Sequence, residues 1–370
     1  MKIAFFNATM KTQDGVAQVM IKLIDEAKKR GNEVLVITGS IEDASIIPAP
    51  IFKIPAVTFP LYKEYKLPYP GIRAFKKKLD EFKPDIIHVH SPDTIAWAAL
   101  KYAKKCKIPI IATYHTEFGK YLAYYHIEFL MPFVWSVLRR LYNQMQLVTT
   151  PSSVTAQELI GHGIKNVQSI PWGVDFSRFN TGFRSEAYRK EVLKGDNKII
   201  LLYTSRLTWE KDLRTLAAAY ELLIKQRQDF ILLVAGDGPA RQELESLMPG
   251  AIFLGHLDKT KLSEVYASAD IFIFPSTTET FGNVTIEAMA SGLVPVVANA
   301  GGSKTLVKNG ETGFLTEPKN AKDFSEKINI LMNDMSLRER MKNAGQEFVK
   351  DYSWEKVFDK FMKIYTDLTK

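Results

Sequence analysis

The sequence predicts two α/β domains in tandem, each a doubly wound, Rossmann-like parallel sheet. Three observations carry that reading. Short apolar runs rich in Val, Ile and Leu alternate with amphipathic helical patterns from end to end. The runs are continuous rather than alternating, as in strands buried on both faces. At 370 residues the chain is too long for one core and suits two.

In the first half the runs 3–7, 34–38, 86–90, 108–113, 147–151 and 167–170 read as strands. Between the first two lies a helix at 16–30. It carries Val16, Val19, Met20, Leu23, Ile24 and Ala27 on one stripe, with Gly31 as its stop. Pro171-Trp172-Gly173-Val174-Asp175 then punctuates the chain and marks a boundary. The expected division is 1–172, 173–351 and a tail helix from 352 to 370. In the second half the strands are expected at 199–203, 230–235, 251–254, 271–274 and 294–298. The tail is amphipathic, with Trp354, Val357, Phe358, Phe361, Ile364 and Tyr365 on its apolar side. No solenoid-length repeat or low-complexity stretch interrupts this order.

Bulk properties narrow the functional classes. A single cysteine, Cys106, excludes an internal disulfide framework and fits a reducing compartment. The first residues do not read as a signal peptide, and no apolar run approaches membrane-spanning length. The net charge is +8. Residues 1–180 hold 23 Lys and Arg against 15 acids, and residues 181–370 hold 26 against 26. All the excess positive charge lies in the first half, which speaks to an anionic partner rather than to fold.

The richest chemistry follows the strands of the second half. Ser205-Arg206-Leu207 and Lys211 come just after 199–203. A guanidinium fork and an ammonium there suit a diphosphate, although two surface cations would look the same. Val234-Ala235-Gly236-Asp237-Gly238-Pro239 places Gly236 and Gly238 after the next strand, as a tight turn or a close backbone approach to a ligand. Arg241 replaces the third glycine, so this is not a dinucleotide fingerprint. Glu279-Thr280-Phe281-Gly282-Asn283-Val284-Thr285-Ile286-Glu287 puts one carboxylate in a strand-to-helix loop and another about two turns into the helix. Carboxylates accept hydrogen bonds from neighbouring sugar hydroxyls, and a helix start holds phosphate. Two cations, two glycine turns and two carboxylates at successive strand ends suit a nucleotide diphospho-sugar. No Asp-x-Asp pair occurs, so no metal site is expected. Arg206, Lys211 and the helix dipole must then neutralise the diphosphate.

The first half offers less. Gly15 sits at the first helix start and could face phosphate. His115 ends a strand, where it could hydrogen-bond a sugar hydroxyl or rest in the core. His88 and His90 alternate within a strand, and at least one is expected to be structural. The stretches 59–78 and 118–142 interleave basic and aromatic residues. They suit a lipid headgroup interface or single-stranded nucleic acid, or else a basic face over core aromatics.

Ser205-Arg206-Leu207-Thr208-Trp209-Glu210-Lys211, Gly236-Asp237-Gly238-Pro239 and the run from Pro275 to Gly292 together resemble glycosyltransferase family four, retaining enzymes of GT-B architecture. Pro84-Asp85-Ile86-Ile87-His88-Val89-His90-Ser91, Tyr114-His115-Thr116 and Pro171-Trp172-Gly173-Val174-Asp175 extend the likeness over essentially the whole chain. It is most similar to bacterial mannosyl- and glucosyltransferases that modify lipids. The resemblance implies that Arg206 and Lys211 bind the donor diphosphate. Glu279 would hold the sugar hydroxyls, Glu287 the ribose, and His115 would line the reacting centre. Gly236, Gly238, Phe281, Gly282, Asn283 and Val284 fall in the donor-binding segments. The Gly15 loop would meet phosphates or acceptor, and the tail helix would return to the first domain. Two departures stand out: Asp14-Gly15 where a glycine pair is usual, and Asp212 where glycine is usual.

The expected activity is retaining transfer of mannose or glucose, from GDP-mannose or UDP-glucose, with no cofactor or metal. The expected acceptor is a lipid or lipid-linked molecule, bound by the first domain on the anionic inner face of the cytoplasmic membrane. Nucleic acid is not an expected partner. The domains are expected to hinge near 174 and before the tail. A nucleotide-sugar epimerase, a transferase for a soluble acceptor and a non-catalytic binding module are the alternatives.

Overall fold

The computed structural model describes residues 1–11, 15–59, 62–69, 73–115 and 128–370. They form two compact units: Met1–Trp172 with Trp354–Lys370, and Gly173–Ser353.

The first unit is built on β1 (Lys2–Met10), β2 (Glu33–Ile41), β3 (Ile51–Lys53), β4 (Ala56–Phe59), β5 (Tyr62–Pro68), β6 (Ile86–Val89), β7 (Ile110–Thr113), β8 (Leu147–Thr150) and β9 (Val167–Ser169). Seven of these make one parallel sheet in the order β3-β2-β1-β6-β7-β8-β9. β4 and β5 pair antiparallel as a separate hairpin. β1 is buried along its length beyond Lys2, as its unbroken apolar run requires. Helix Gly15–Lys29 turns Val19, Met20, Leu23, Ile24 and Ala27 inward. Gly31, at φ +75°, ends it: its N–H donates to the Lys28 carbonyl, and that of Asn32 to the Ala27 carbonyl. Helix Trp354–Thr369 packs against this helix through the same unit, burying Val357, Phe358, Phe361 and Tyr365.

The second unit holds β10 (Ile199–Thr204), β11 (Phe230–Ala235), β12 (Ile252–Gly255), β13 (Ile271–Phe274), β14 (Val294–Ala298) and β15 (Phe314–Thr316). They form one parallel sheet in the order β12-β11-β10-β13-β14-β15. The chain winds outward from β10 to β12, then returns to β13 on the other side of β10. The order therefore reverses between β10 and β13, and a crevice opens there at the strand carboxyl ends. β1 and β6 make the same reversal in the first unit.

β3, the β4–β5 hairpin and β15 were not expected from the sequence. β3 and β15 are three residues each, too short to show a period. The stretch 59–78 read as a basic, aromatic surface. Its described part divides into β5 and helix Arg73–Phe82, and Phe75 is core.

Candidate functional site

At the carboxyl end of β10 the chain turns through Ser205, Arg206 and Leu207. This turn is laced to the one after β11: Ser205 N–H donates to the Ala235 carbonyl (3.1 Å) and Leu207 N–H to the Asp237 carbonyl (2.9 Å). The lacing explains the glycines. A Cβ on Gly236 would lie 1.9 Å from the Ser205 carbonyl oxygen, and one on Gly238 would lie 2.4 Å from that of Leu207. Neighbouring backbone demands both glycines before any ligand does. The Arg206 side chain is exposed and makes no ion pair among the described residues.

Lys211 closes a short 3-10 turn, Trp209–Lys211. Its Nζ reaches across the sheet reversal to Glu279 Oε1 at 2.7 Å, with both side chains largely buried (16% and 18% exposed). Ser276 Oγ donates to the same oxygen at 3.0 Å. The structure thus joins two residues to which the sequence assigned separate duties. Removing both charges from water costs free energy, which their close attraction and the Ser276 hydrogen bond offset, and a bound anion or hydroxyl can share the pair.

Glu279 leads into helix Asn283–Ala290. Gly282 stands before it at φ +98°, where a Cβ would meet Ser303 Oγ at 2.3 Å. The first N–H groups of such a helix have no acceptor inside it. Asn283 Oδ1, Thr285 Oγ1 and Ser303 Oγ are buried beside it without a hydrogen-bond partner among the described residues. Val284 is partly buried and Phe281 fully. The turn rests on Gly301 and Gly302: Gly302 N–H donates to the Glu279 carbonyl at 2.6 Å, and a Cβ on Gly302 would lie 2.3 Å from the Thr280 carbonyl oxygen.

Glu287, one helical stretch on, is partly buried and accepts from Tyr266 Oη at 3.3 Å. Burial pushes its carboxyl up to about 7; Arg178 and the Tyr266 hydrogen bond pull against that, and Asp175 adds to it.

The first unit treats its histidines differently. His115, two residues past β7, is buried and stacks on Trp172 (5.4 Å) and His90 (5.0 Å). His90 Nδ1 and His115 Nε2 share a hydrogen bond of 2.8 Å. Burial holds both below the usual imidazole range, His115 at about 3. Their other ring nitrogens, His90 Nε2 and His115 Nδ1, have no partner among the described residues. His88 bonds Tyr365 Oη (2.7 Å) and Thr113 Oγ1 (2.6 Å), a structural role. Gly15 begins its helix with nothing within 4 Å of a Cβ. Its predecessors 12–14 lie outside the described residues.

Arg206, Lys211, Gly236, Gly238, Glu279, Phe281, Gly282, Asn283, Val284 and Glu287 therefore gather along the carboxyl edge of the second unit's sheet, while His115 and Gly15 belong to the first unit. Sequence reasoning passed over Arg178, Tyr266, Gly302 and Ser303, and noted Asp212 only as a departure from glycine. The pair Gly301-Gly302 directly after a strand was a legible signal. The partners of Glu287 come from distant segments and left none.

Comparison with known proteins fits this geometry. Residues 13–178 match the family model of Glycosyltransferase Family 4, and residues 184–348 that of Glycosyl transferases group 1. The chain is 36% identical over 286 residues to the sulfoquinovosyl transferase SQD2 of Arabidopsis thaliana, covering 75% of this chain and 55% of that protein's length. It is 32% identical over 362 residues to a GDP-mannose-dependent alpha-mannosyltransferase of Corynebacterium glutamicum, covering 96% and 86%. The crystal structure of Anabaena Alr3699/HepE in complex with UDP and glucose superposes with a TM-score of 0.77 at 20% identity, over 99% of this chain and 100% of that one.

Proposed function

Because the chain belongs to the family 4 glycosyltransferases, with two α/β domains of the GT-B type, we propose that the carboxyl edge of its second unit binds a nucleotide diphospho-sugar and transfers the hexose with retention. The observation that carries this reading is the convergence of Lys211 and Glu279 at the sheet reversal, beside exposed Arg206 and an uncapped helix start.

Arg206, Lys211 and the N–H groups of Asn283 and Val284 bind the diphosphate and stabilise the charge that builds on it as it departs. Glu279 accepts from hydroxyls of the transferred sugar, and Glu287 from the ribose. Gly236 and Gly238 hold the turns in register, and Phe281 and Gly282 shape the entry to the helix. In the first unit His115, kept neutral, is the residue suited to a hydrogen bond with a sugar hydroxyl, and the helix start at Gly15 is suited to phosphate or acceptor. The acceptor hydroxyl attacks from the face the phosphate leaves, and a phosphate oxygen takes its proton. Positioning and charge stabilisation supply the rate without an essential metal. The sugar is mannose or glucose, with GDP-mannose or UDP-glucose as donor.

The acceptor is a lipid or lipid-linked molecule on the anionic inner face of the cytoplasmic membrane. Support comes from the helix Met131–Tyr142 and the turn before it. Phe129 and Phe133 are 77% and 69% exposed, and Arg139 and Arg140 lie exposed further along. Aromatic rings beside arginines suit a headgroup layer. No helix among the described residues is long and apolar enough to cross a membrane. Lys120, Tyr121, Tyr124 and Tyr125 of the same stretch lie outside the described residues.

Incubation with labelled GDP-mannose or UDP-glucose and membrane lipids tests the reading. Labelled lipid with the donor's anomeric configuration is expected. Label found only in a rearranged sugar nucleotide, or only in a water-soluble acceptor, contradicts it.

A further inference from the structure

Asp212 follows Lys211 in the left-handed region, at φ +54° and ψ +39°. Such a backbone is natural for glycine and, among residues with a Cβ, is best tolerated by Asn and Asp. A side chain kept there invites a reason, and its contacts give one. Asp212 Oδ2 accepts from the Thr277 backbone N–H at 2.9 Å and from Thr277 Oγ1 at 2.6 Å. Thr277 lies in the turn that follows β13, two residues before Glu279. A second tie runs the same way: Thr278 Oγ1 donates to the Glu210 carbonyl at 2.9 Å.

The turn carrying Lys211 is thus fastened, by the residues on either side of that lysine, to Thr277 and Thr278 in the turn carrying Glu279. The carboxylate is suited to this. One oxygen accepts from two donors of a single residue, which fixes both the height and the rotation of the turn. Glycine would leave the backbone at ease and the fastening gone.

We propose that Asp212 is a positioning residue: its carboxylate is a strut that sets the spacing of Lys211 and Glu279 at the sheet reversal. Its purpose rests on the reading of that edge as a donor site; its existence does not. Reactivity that depends on placement loses about 10²-fold for a misplacement near 1 Å.

The test compares Asp212→Gly and Asp212→Asn with the wild-type chain by amide hydrogen exchange and by steady-state kinetics with GDP-mannose and UDP-glucose. Asp212→Gly removes the strut while easing the backbone. It is expected to expose the Thr277 amide to exchange, keep the melting temperature, and lower kcat about 10²-fold with a smaller change in donor KM. Asp212→Asn tolerates the left-handed backbone and keeps one acceptor oxygen, so it is expected to restore part of both losses. Unchanged exchange at 276–280 in Asp212→Gly overturns the strut, whatever the activity. Freed exchange with full kcat overturns its role in positioning. A wild-type chain inactive with every nucleotide sugar defeats the donor-site reading itself, and the exchange comparison still decides the strut.

Discussion

Polar side chains gather at the carboxyl edges of both sheets, but the two edges handle charge in opposite ways. In the second unit Lys211, Glu279 and Glu287 keep partial access to solvent, and Arg206 is open to it. In the first, His88, His90 and His115 are sunk into a stack of rings and held neutral by burial. The same topology thus makes one edge that can meet a diphosphate and another that offers uncharged hydrogen-bonding nitrogens. Burial shifts titratable groups on both edges, but the second unit keeps charge where Lys211 pairs with Glu279 and Arg206 faces solvent.

The strongest way to break this contrast is to remove charge from the open edge. Lys211→Ala is expected to lower kcat/KM by about 10²–10³, as losing a preorganised donor to developing negative charge does. Full turnover in that variant, measured at saturating and limiting donor, would place the charged contact elsewhere.

The glycines sharpen the contrast next. Gly236→Ala drives a Cβ into the Ser205 carbonyl, so it is expected to destabilise the second unit by about 1–3 kcal/mol. Gly15→Ala meets open space at a helix start and is expected to be neutral or to stabilise by up to about 1 kcal/mol. Urea denaturation of the two variants checks this. Equal effects would mean that neither glycine is fixed by its surroundings.

The two edges should also answer pH with opposite sign. Glu287 is raised from 4.5 to about 7 in the folded chain. The folded state then keeps a proton that the unfolded state has released, so its contribution to stability falls as pH rises from about 4.5 to about 7. His115 is lowered from 6.5 to about 3. There the unfolded state takes the proton, so the contribution falls as pH drops from 6.5. Between pH 4.5 and 6.5, stability differences of Glu287→Gln and His115→Asn from wild type should slope in opposite directions. Parallel slopes would remove the contrast.

The smallest expected effect concerns the basic face. Arg140→Ala should weaken binding to anionic vesicles by about 1 kcal/mol at low salt, and the difference should vanish at high salt. Binding insensitive to both would argue against an electrostatic membrane contact.

How much of this was legible in the sequence follows from what each signal depends on. β10, β11, β13 and β14 announce themselves through buried apolar runs, and their observed spans match or nearly match those runs. Arg206, Lys211 and Glu279 could be read because they closely follow those strands, and Glu287 because it lies on the helix after β13. Their pairing could not. Whether Lys211 meets phosphate or Glu279 depends on the spacing of β10 and β13, which local sequence does not encode. Asp212 showed only as an unusual residue; its reason lies at Thr277, 65 positions away. His115 read as a strand-end histidine for a sugar hydroxyl or for the core, and the ring stack with Trp172 and His90 that buries it comes from distant segments.

The central claim is that the second unit's edge holds the donor. Thermal titration with GDP-mannose and UDP-glucose tests it most directly, comparing wild type with an Arg206→Ala/Lys211→Ala double variant. One of the two donors is expected to stabilise the wild-type chain by about 2.7 kcal/mol at 100 times its Kd, and the double variant should lose that gain. No stabilisation by either donor, or an equal gain in the double variant, would contradict the account.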